Sequence, residues 1–323
     1  MLFVTESLVQ LFGWDLKSFL QKAHQDGNWV EPVSKARSTY LNTDLPPGCH
    51  KDGKWARKFL PTIFLWLGAQ DELWTITDAK LLHACQEIFK VVYPNIRYKV
   101  VTSGSVFDVV TQSLNEWRSN FGSTALAVVI NFLNSNRDTP PQSLTKLFLH
   151  KFAFLYPDPE NINKAETFHS AFVQELLATA HLSRIIGHAD VPALNTDTLA
   201  KSGIAGALGL CAASLEYAFT LVADNTITID NPRVPTASAR RKARLKIPQS
   251  FNNVTGTEVA TEHAFSVAKW GLKTASFIQG ANKKGIDSIQ LTMSMAYEYL
   301  EKSSFDNHSS IDLVDEIDHR ADI

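Results

Sequence analysis

SVFDVVTQSLNEWRSNFGSTALAVVINFLN, residues 105–134, places Val106, Val110, Leu114, Trp117, Phe121, Leu126, Val129 and Leu133 at steps of three to five. Apolar residues at that spacing share one side of an α-helix, whereas a half-buried strand alternates at every second residue. The stretch therefore reads as helix. Ser105 is positioned to cap its start with a hydroxyl oxygen. Gly122 is its weak point, so the spacing also allows two helices meeting at a kink there.

The same period runs outward on both sides. TDAKLLHACQEIFKVVY (77–93) puts Leu81, Leu82, Cys85, Ile88, Phe89 and Val92 on one face, with Thr77 or Asp78 as the N-cap. SLTKLFLHKFAFLY (143–156) reads as a further helix, opened by the turn at Pro140 and Pro141. YPDPENINK (156–164) then breaks the pattern with prolines and polar residues and is the best boundary in the chain. Helical spacing resumes at 165–181, 197–223, 257–279 and 285–302. NTITIDNPRV (225–234) is the only short β-like stretch, and no fixed-period repeat is present.

The expectation is an all-α protein made of two packed bundles of long amphipathic helices. Residues 1–54 form a helical lead and loop, 55–156 the first half, 157–302 the second half, and 303–323 an acidic, flexible tail. GIAGALGLCAASLEYAFTLVA (203–223) has the length of a membrane span. Its glycines and alanines and the internal Glu216 favour instead a buried central helix of a soluble domain, with no membrane partner. The small residues Gly203, Gly206, Ala207, Gly209 and Ala213 would let neighbouring helices approach closely.

The 323 residues carry a formal net charge of −2, which gives no global pull toward nucleic acid or an anionic membrane. The local distribution is different. TASARRKARLKIPQ (236–249) holds Arg240, Arg241, Lys242, Arg244 and Lys246 and no acidic residue. With Arg233 it makes a basic segment over 231–249, opposed by an acidic C-terminus. Cys49, Cys85 and Cys211 are odd in number and far apart, which argues against a disulfide framework or a zinc cluster and for a reducing compartment. The N-terminus lacks the pattern of a secretory signal.

Few stretches look chemical. GCHKDGK (48–54) gathers Cys49, His50 and Asp52, but adjacent side chains diverge, so an exposed loop is the plainer reading. Arg118, in LNEWRSNFG, is suited either to a buried tie with a carboxylate of another helix or to a ligand anion, the tie being the commoner case. Glu216, among Leu215, Tyr217 and Phe219, needs a partner if buried, from an Arg or Lys of the first half or at the surface near Tyr217. His181 and His188 are too weakly spaced for a metal site and read as helix-end or loop histidines. No catalytic residue, metal or cofactor is indicated.

The order of four stretches resembles a known family. They are KFLPTIFLWLGAQDELWTITDAKLLHACQEIF, QSLNEWRSNFGSTAL, YPDPENINKAETFHSAFVQELLATAH and AGALGLCAASLEYAF. Together they are similar to the large family of mushroom-forming fungi labelled domain of unknown function 6532, over about residues 55–300. Its marks are Glu116 to Ser119, Pro157 to Asn161, and Ala207, Leu208 and Glu216. The resemblance implies no activity, cofactor or catalytic residue, and it makes the basic segment an insertion.

Three functional expectations follow. The first is a non-enzymatic helical interaction or scaffold protein, intracellular and either nuclear or cytoplasmic, whose basic arm meets an import receptor or another protein partner. The second is sequence-independent nucleic-acid binding by the same Arg240, Arg241, Lys242, Arg244 and Lys246. The third is an enzyme with a pocket between the halves, tested at Arg118 and Glu216. A plainer reading of the arm is an intramolecular clasp with the acidic tail.

Overall fold

The computed structural model describes residues 40–229, 245–246, 250–252, 257–259 and 263–311. These are all-α apart from two short antiparallel pairings. The helices are α1 (Leu60–Gly68), α2 (Asp78–Val92), α3 (Ser105–Ser135), α4 (Pro141–Leu149) and α5 (Ala171–Leu177). They continue as α6 (Thr196–Ser202), α7 (Ala205–Ala223), α8 (Val267–Asn282) and α9 (Ile286–Ile311). Strand β1 (Thr228–Ile229) pairs with β2 (Leu245–Lys246), and β3 (Ser250–Asn252) with β4 (Thr257–Val259).

Local chemistry explains several of the boundaries. Thr77 caps α2, its hydroxyl accepting from the Lys80 amide at 3.3 Å. Pro140 and Pro141 open α4, where proline's missing N–H costs no helical bond. Ser105 does not cap α3. Gly104 takes the N-cap position in extended conformation and Ser105 is the first helical residue. A Cβ at Gly104 would lie 2.9 Å from the Tyr98 hydroxyl oxygen, so the crowding around this turn favours glycine.

Helix α3 is continuous through Gly122, and the kink does not occur. The glycine serves another purpose: a Cβ there would stand 2.9 Å from Cβ of Phe265. Phe265 itself precedes α8. The helical spacing read over 257–279 begins only at Val267, because Ser266 is extended and Thr257–Val259 is a strand. Likewise the 143–156 pattern ends as α-helix at Leu149. Lys151 (φ 51°) and Phe152 (φ 56°) adopt left-handed conformations, and the Phe152 ring packs edge-on against Phe154 and Phe277.

The core is organised around α7. Nearly all of α7 is buried, with Glu216 and Thr220 the half-exposed positions. It touches α1, α3, α4, α5 and α8, so helices on both sides of the Pro157 boundary share one connected core. Glycines on two faces permit this. A Cβ on Gly206 would come 2.9 Å from the carbonyl oxygen of Gly68, the last residue of α1, and one on Gly209 would come 3.1 Å from the Thr274 carbonyl oxygen of α8. The region Thr196–Ala223 contains a stretch of mean hydropathy 1.5, long and apolar enough to cross a membrane, and 89% of that stretch is buried inside the protein.

Within the described part of the lead, the Tyr40 hydroxyl donates to the Ser103 carbonyl at 2.8 Å, and Cys49 is buried with its carbonyl accepting from the Tyr93 hydroxyl at 2.9 Å. Segment 40–54 is thus anchored on the first helices through Tyr40 and Cys49, while His50, Lys51, Asp52 and Lys54 remain exposed, as expected of a loop. At the other end α9 runs on to Ile311, past the 303 boundary assigned to the tail. After Gly285 the sequence contains no glycine or proline that would stop it. Residues 312–323 lie outside the described residues.

Candidate functional site

Arg118 sits on α3 and is 9% exposed. One guanidinium nitrogen donates to the Leu73 carbonyl at 2.5 Å and another to Asn115 Oδ1 at 3.1 Å. The group lies 5.9 Å over the Trp74 ring, and burial lowers its pKa to about 10. The tie therefore goes to a backbone carbonyl and not to a carboxylate. The reason is local: Leu73 ends a turn after α1 whose carbonyl has no helical partner, and a long planar donor reaches it.

Glu216 meets Lys273 of α8 at 2.6 Å, with 13% of the Glu216 side chain and 47% of the Lys273 side chain exposed. The partner comes from the second half of the chain rather than the first, at the surface beside Trp270, which packs on Tyr217, the second of the two places expected. Lys273 also lies 4.3 Å over the Trp270 ring. Between these two sites runs an aromatic cluster in which Phe265 packs on Trp74 at 5.6 Å, on Tyr217 at 5.3 Å and on Trp270 at 6.0 Å. Arg118 and Glu216 stand at opposite ends of this cluster with separate partners. Neither residue lines the cleft at the Pro157 boundary.

Of the basic residues, Arg240, Arg241, Lys242 and Arg244 lie outside the described residues. Lys246 belongs to β2, where it stands opposite Thr228, and Leu245 stands opposite Ile229. Strand β1 follows α7 by a short turn, in which the Ile227 amide donates to the Leu221 carbonyl at 3.1 Å. The pairing therefore brings Ile229 and Leu245, which flank segment 230–244 in the sequence, together a short turn after the central helix. The β-like signal in NTITIDNPRV was the visible half of this clasp; its partner, Leu245–Lys246, is masked in the sequence by the surrounding charge.

The cysteine and histidine candidates resolve structurally. Cys49 is fully buried, and burial pushes its thiol up to about 12, so it is no nucleophile beside exposed His50. His50 Nε2 contacts the Asn42 carbonyl at 2.5 Å. His188 Nδ1 lies 3.0 Å from the Ile185 carbonyl. His181 lies in the last turn of the helical segment Ala178–Leu182, but not at an exposed end. It is fully buried beside Trp117, with ring centroids 5.7 Å apart and both ring nitrogens without hydrogen bonds. Among the described residues no group of three or more His, Cys, Asp or Glu converges as a metal set would.

A cleft of about 360 Å³ lies at the Pro157 boundary, away from Arg118 and Glu216. The last turns of α3 supply Asn131, Phe132 and Ser135, and α4 supplies Phe148. Tyr156, Pro157 and Pro159 form one wall, and Ser170, Phe172 and Glu175 close it from the start of α5. Phe132, Phe148 and Phe172 meet edge to face in a triangle, with centroids 4.9–5.2 Å apart. The proline-rich wall is fixed by Asp158, whose Oδ1 accepts from the amides of Glu160 at 2.9 Å and Asn161 at 3.2 Å. Ser170 caps α5, its hydroxyl accepting from the Val173 amide at 3.2 Å. Glu175 lies beside the Tyr299 hydroxyl of α9, and partial burial raises its carboxyl above the usual range.

Comparison with protein-family models, with curated proteins and with solved structures yields no match to this chain.

Proposed function

We propose that the protein is a helical interaction module that docks on an acidic partner protein, an import receptor being the natural kind, through the basic loop carried between β1 and β2. One observation supports this reading above the others: the β1–β2 pairing joins the ends of the segment containing Arg240, Arg241, Lys242 and Arg244 next to the buried helix α7. Joining the ends of a charged segment lowers the entropy lost when it is ordered on a partner. The cations lack the interleaved aromatic residues that stack on single-stranded bases, which places nucleic acid second. On this reading the protein is soluble and intracellular, and the family resemblance, which rests on the residues quoted for it, makes the loop an insertion particular to this member.

The test is fluorescence anisotropy of a labelled glutamate-rich peptide and a labelled DNA duplex, each titrated with the full chain at low and at physiological salt. A variant with Arg240, Arg241, Lys242 and Arg244 changed to alanine is run beside it. The expected result is peptide binding that weakens with salt and is lost in the variant. Binding unaffected by the substitutions, or a preference for the duplex, contradicts the proposal.

A further inference from the structure

We propose that the cleft beside Pro157 binds a small aromatic amine, its ring against Phe132 and Phe172 and its protonated nitrogen on the Glu175 carboxylate. At about 360 Å³ the cleft matches the lower end of small-molecule sites and admits a bicyclic ring with a short side chain. Phe132 and Phe172 are only partly buried, while Phe148 behind them is 7% exposed. The triangle thus presents ring faces and edges on a rigid backing. Such surfaces favour a flat ligand and attract a cation through the ring quadrupole.

Charge decides the second half of the ligand. No Lys, Arg or His is among the lining residues. Glu175 lines the cleft, and exposed Asp158 and Glu160 flank its proline wall. A carboxylate or phosphate ligand would meet like charge on each side. Glu175 also differs from Glu216, which has Lys273: among the residues whose side chains are described no cation pairs with Glu175, and the neutral Tyr299 hydroxyl lies beside it. A half-buried carboxylate with a neutral partner gains most from an incoming ammonium group. Asn131 and Ser135, one turn apart at the open end of α3, offer the remaining polar contacts.

Calorimetry on the full chain with tryptamine, indolepropionate and methylindole separates ring from charge. Tryptamine is expected to bind at least about tenfold more tightly than either, the scale of one charge-assisted hydrogen bond. Glu175→Gln, which keeps an acceptor for Tyr299, is expected to reduce tryptamine to the level of methylindole. Ser135→Arg, at an exposed position that no core packing depends on, is expected to abolish tryptamine binding without altering the thermal melt. Equal affinities for the three probes, no binding of any, or tryptamine binding that survives Ser135→Arg would overturn the proposal.

Discussion

Trp74 donates its indole N–H to the Thr274 hydroxyl at 3.1 Å, although 200 residues separate them in the chain. Thr274 is fully buried and its hydroxyl donates in turn to the Trp270 carbonyl at 2.8 Å. The bond fastens the turn after α1 to α8, and α7 lies beside both. The first and second halves are therefore two parts of one core.

Divided at residue 157, the chain should not fold in either piece. The first piece would expose the faces of α3 and α4 that cover α7, and the second would expose α7 itself. Far-ultraviolet circular dichroism of residues 40–156 and 157–311 should show each piece largely unfolded when separate. Helix recovered on mixing would support the shared core, and a cooperative melt of either piece alone would refute it.

The glycines of α7 make a contrast with a glycine of α8. Gly206→Ala drives a Cβ into the backbone carbonyls after α1 and should cost about 1–3 kcal/mol, as overpacking does. Gly280→Ala meets nothing within 4 Å and should gain up to about 1 kcal/mol in helix propensity. Urea denaturation of the two variants measures both signs.

Arg118 and Glu216 should differ in the same assay. Arg118→Met leaves the Leu73 carbonyl without its donor and should cost about 1–3 kcal/mol. Glu216→Gln loosens a pair whose Lys273 partner is half-exposed and should cost less than about 1 kcal/mol.

His181 sets a pH dependence. Burial lowers its pKa from the ordinary 6.5 to about 3, so the folded protein keeps the imidazole neutral. As pH falls below 6.5 the unfolded chain takes up a proton that the folded chain refuses. Its contribution to stability is complete above pH 6.5 and declines toward pH 3, by at most about 1.4 kcal/mol per pH unit. Urea midpoints at neutral and mildly acidic pH should therefore separate less in His181→Leu than in the parent chain.

Much of this fold was legible because burial follows helical period. Thr77, Pro141, the α7 glycines and the apolar stripe of α3 were readable from local chemistry alone. Gly122 was not, since its role depends on Phe265 arriving from a distant loop, and the Lys273 partner of Glu216 was hidden for the same reason. The basic residues were visible as charge, but the strand that closes their loop is too short to signal itself. The cleft was half legible: its proline wall appeared as a boundary, while Phe132, Phe172 and Glu175 converge only through tertiary packing.

The claim on which the proposed function rests is that β1 and β2 hold the basic loop closed. Changing Ile229 and Leu245 together to proline removes the backbone N–H of both residues of one register pair and leaves every charge in place. The affinity of this variant for the glutamate-rich peptide, measured at low salt beside the parent chain, tests the claim most directly. The account predicts a several-fold loss of affinity with the α-helical signal unchanged. An affinity equal to that of the parent chain would contradict it.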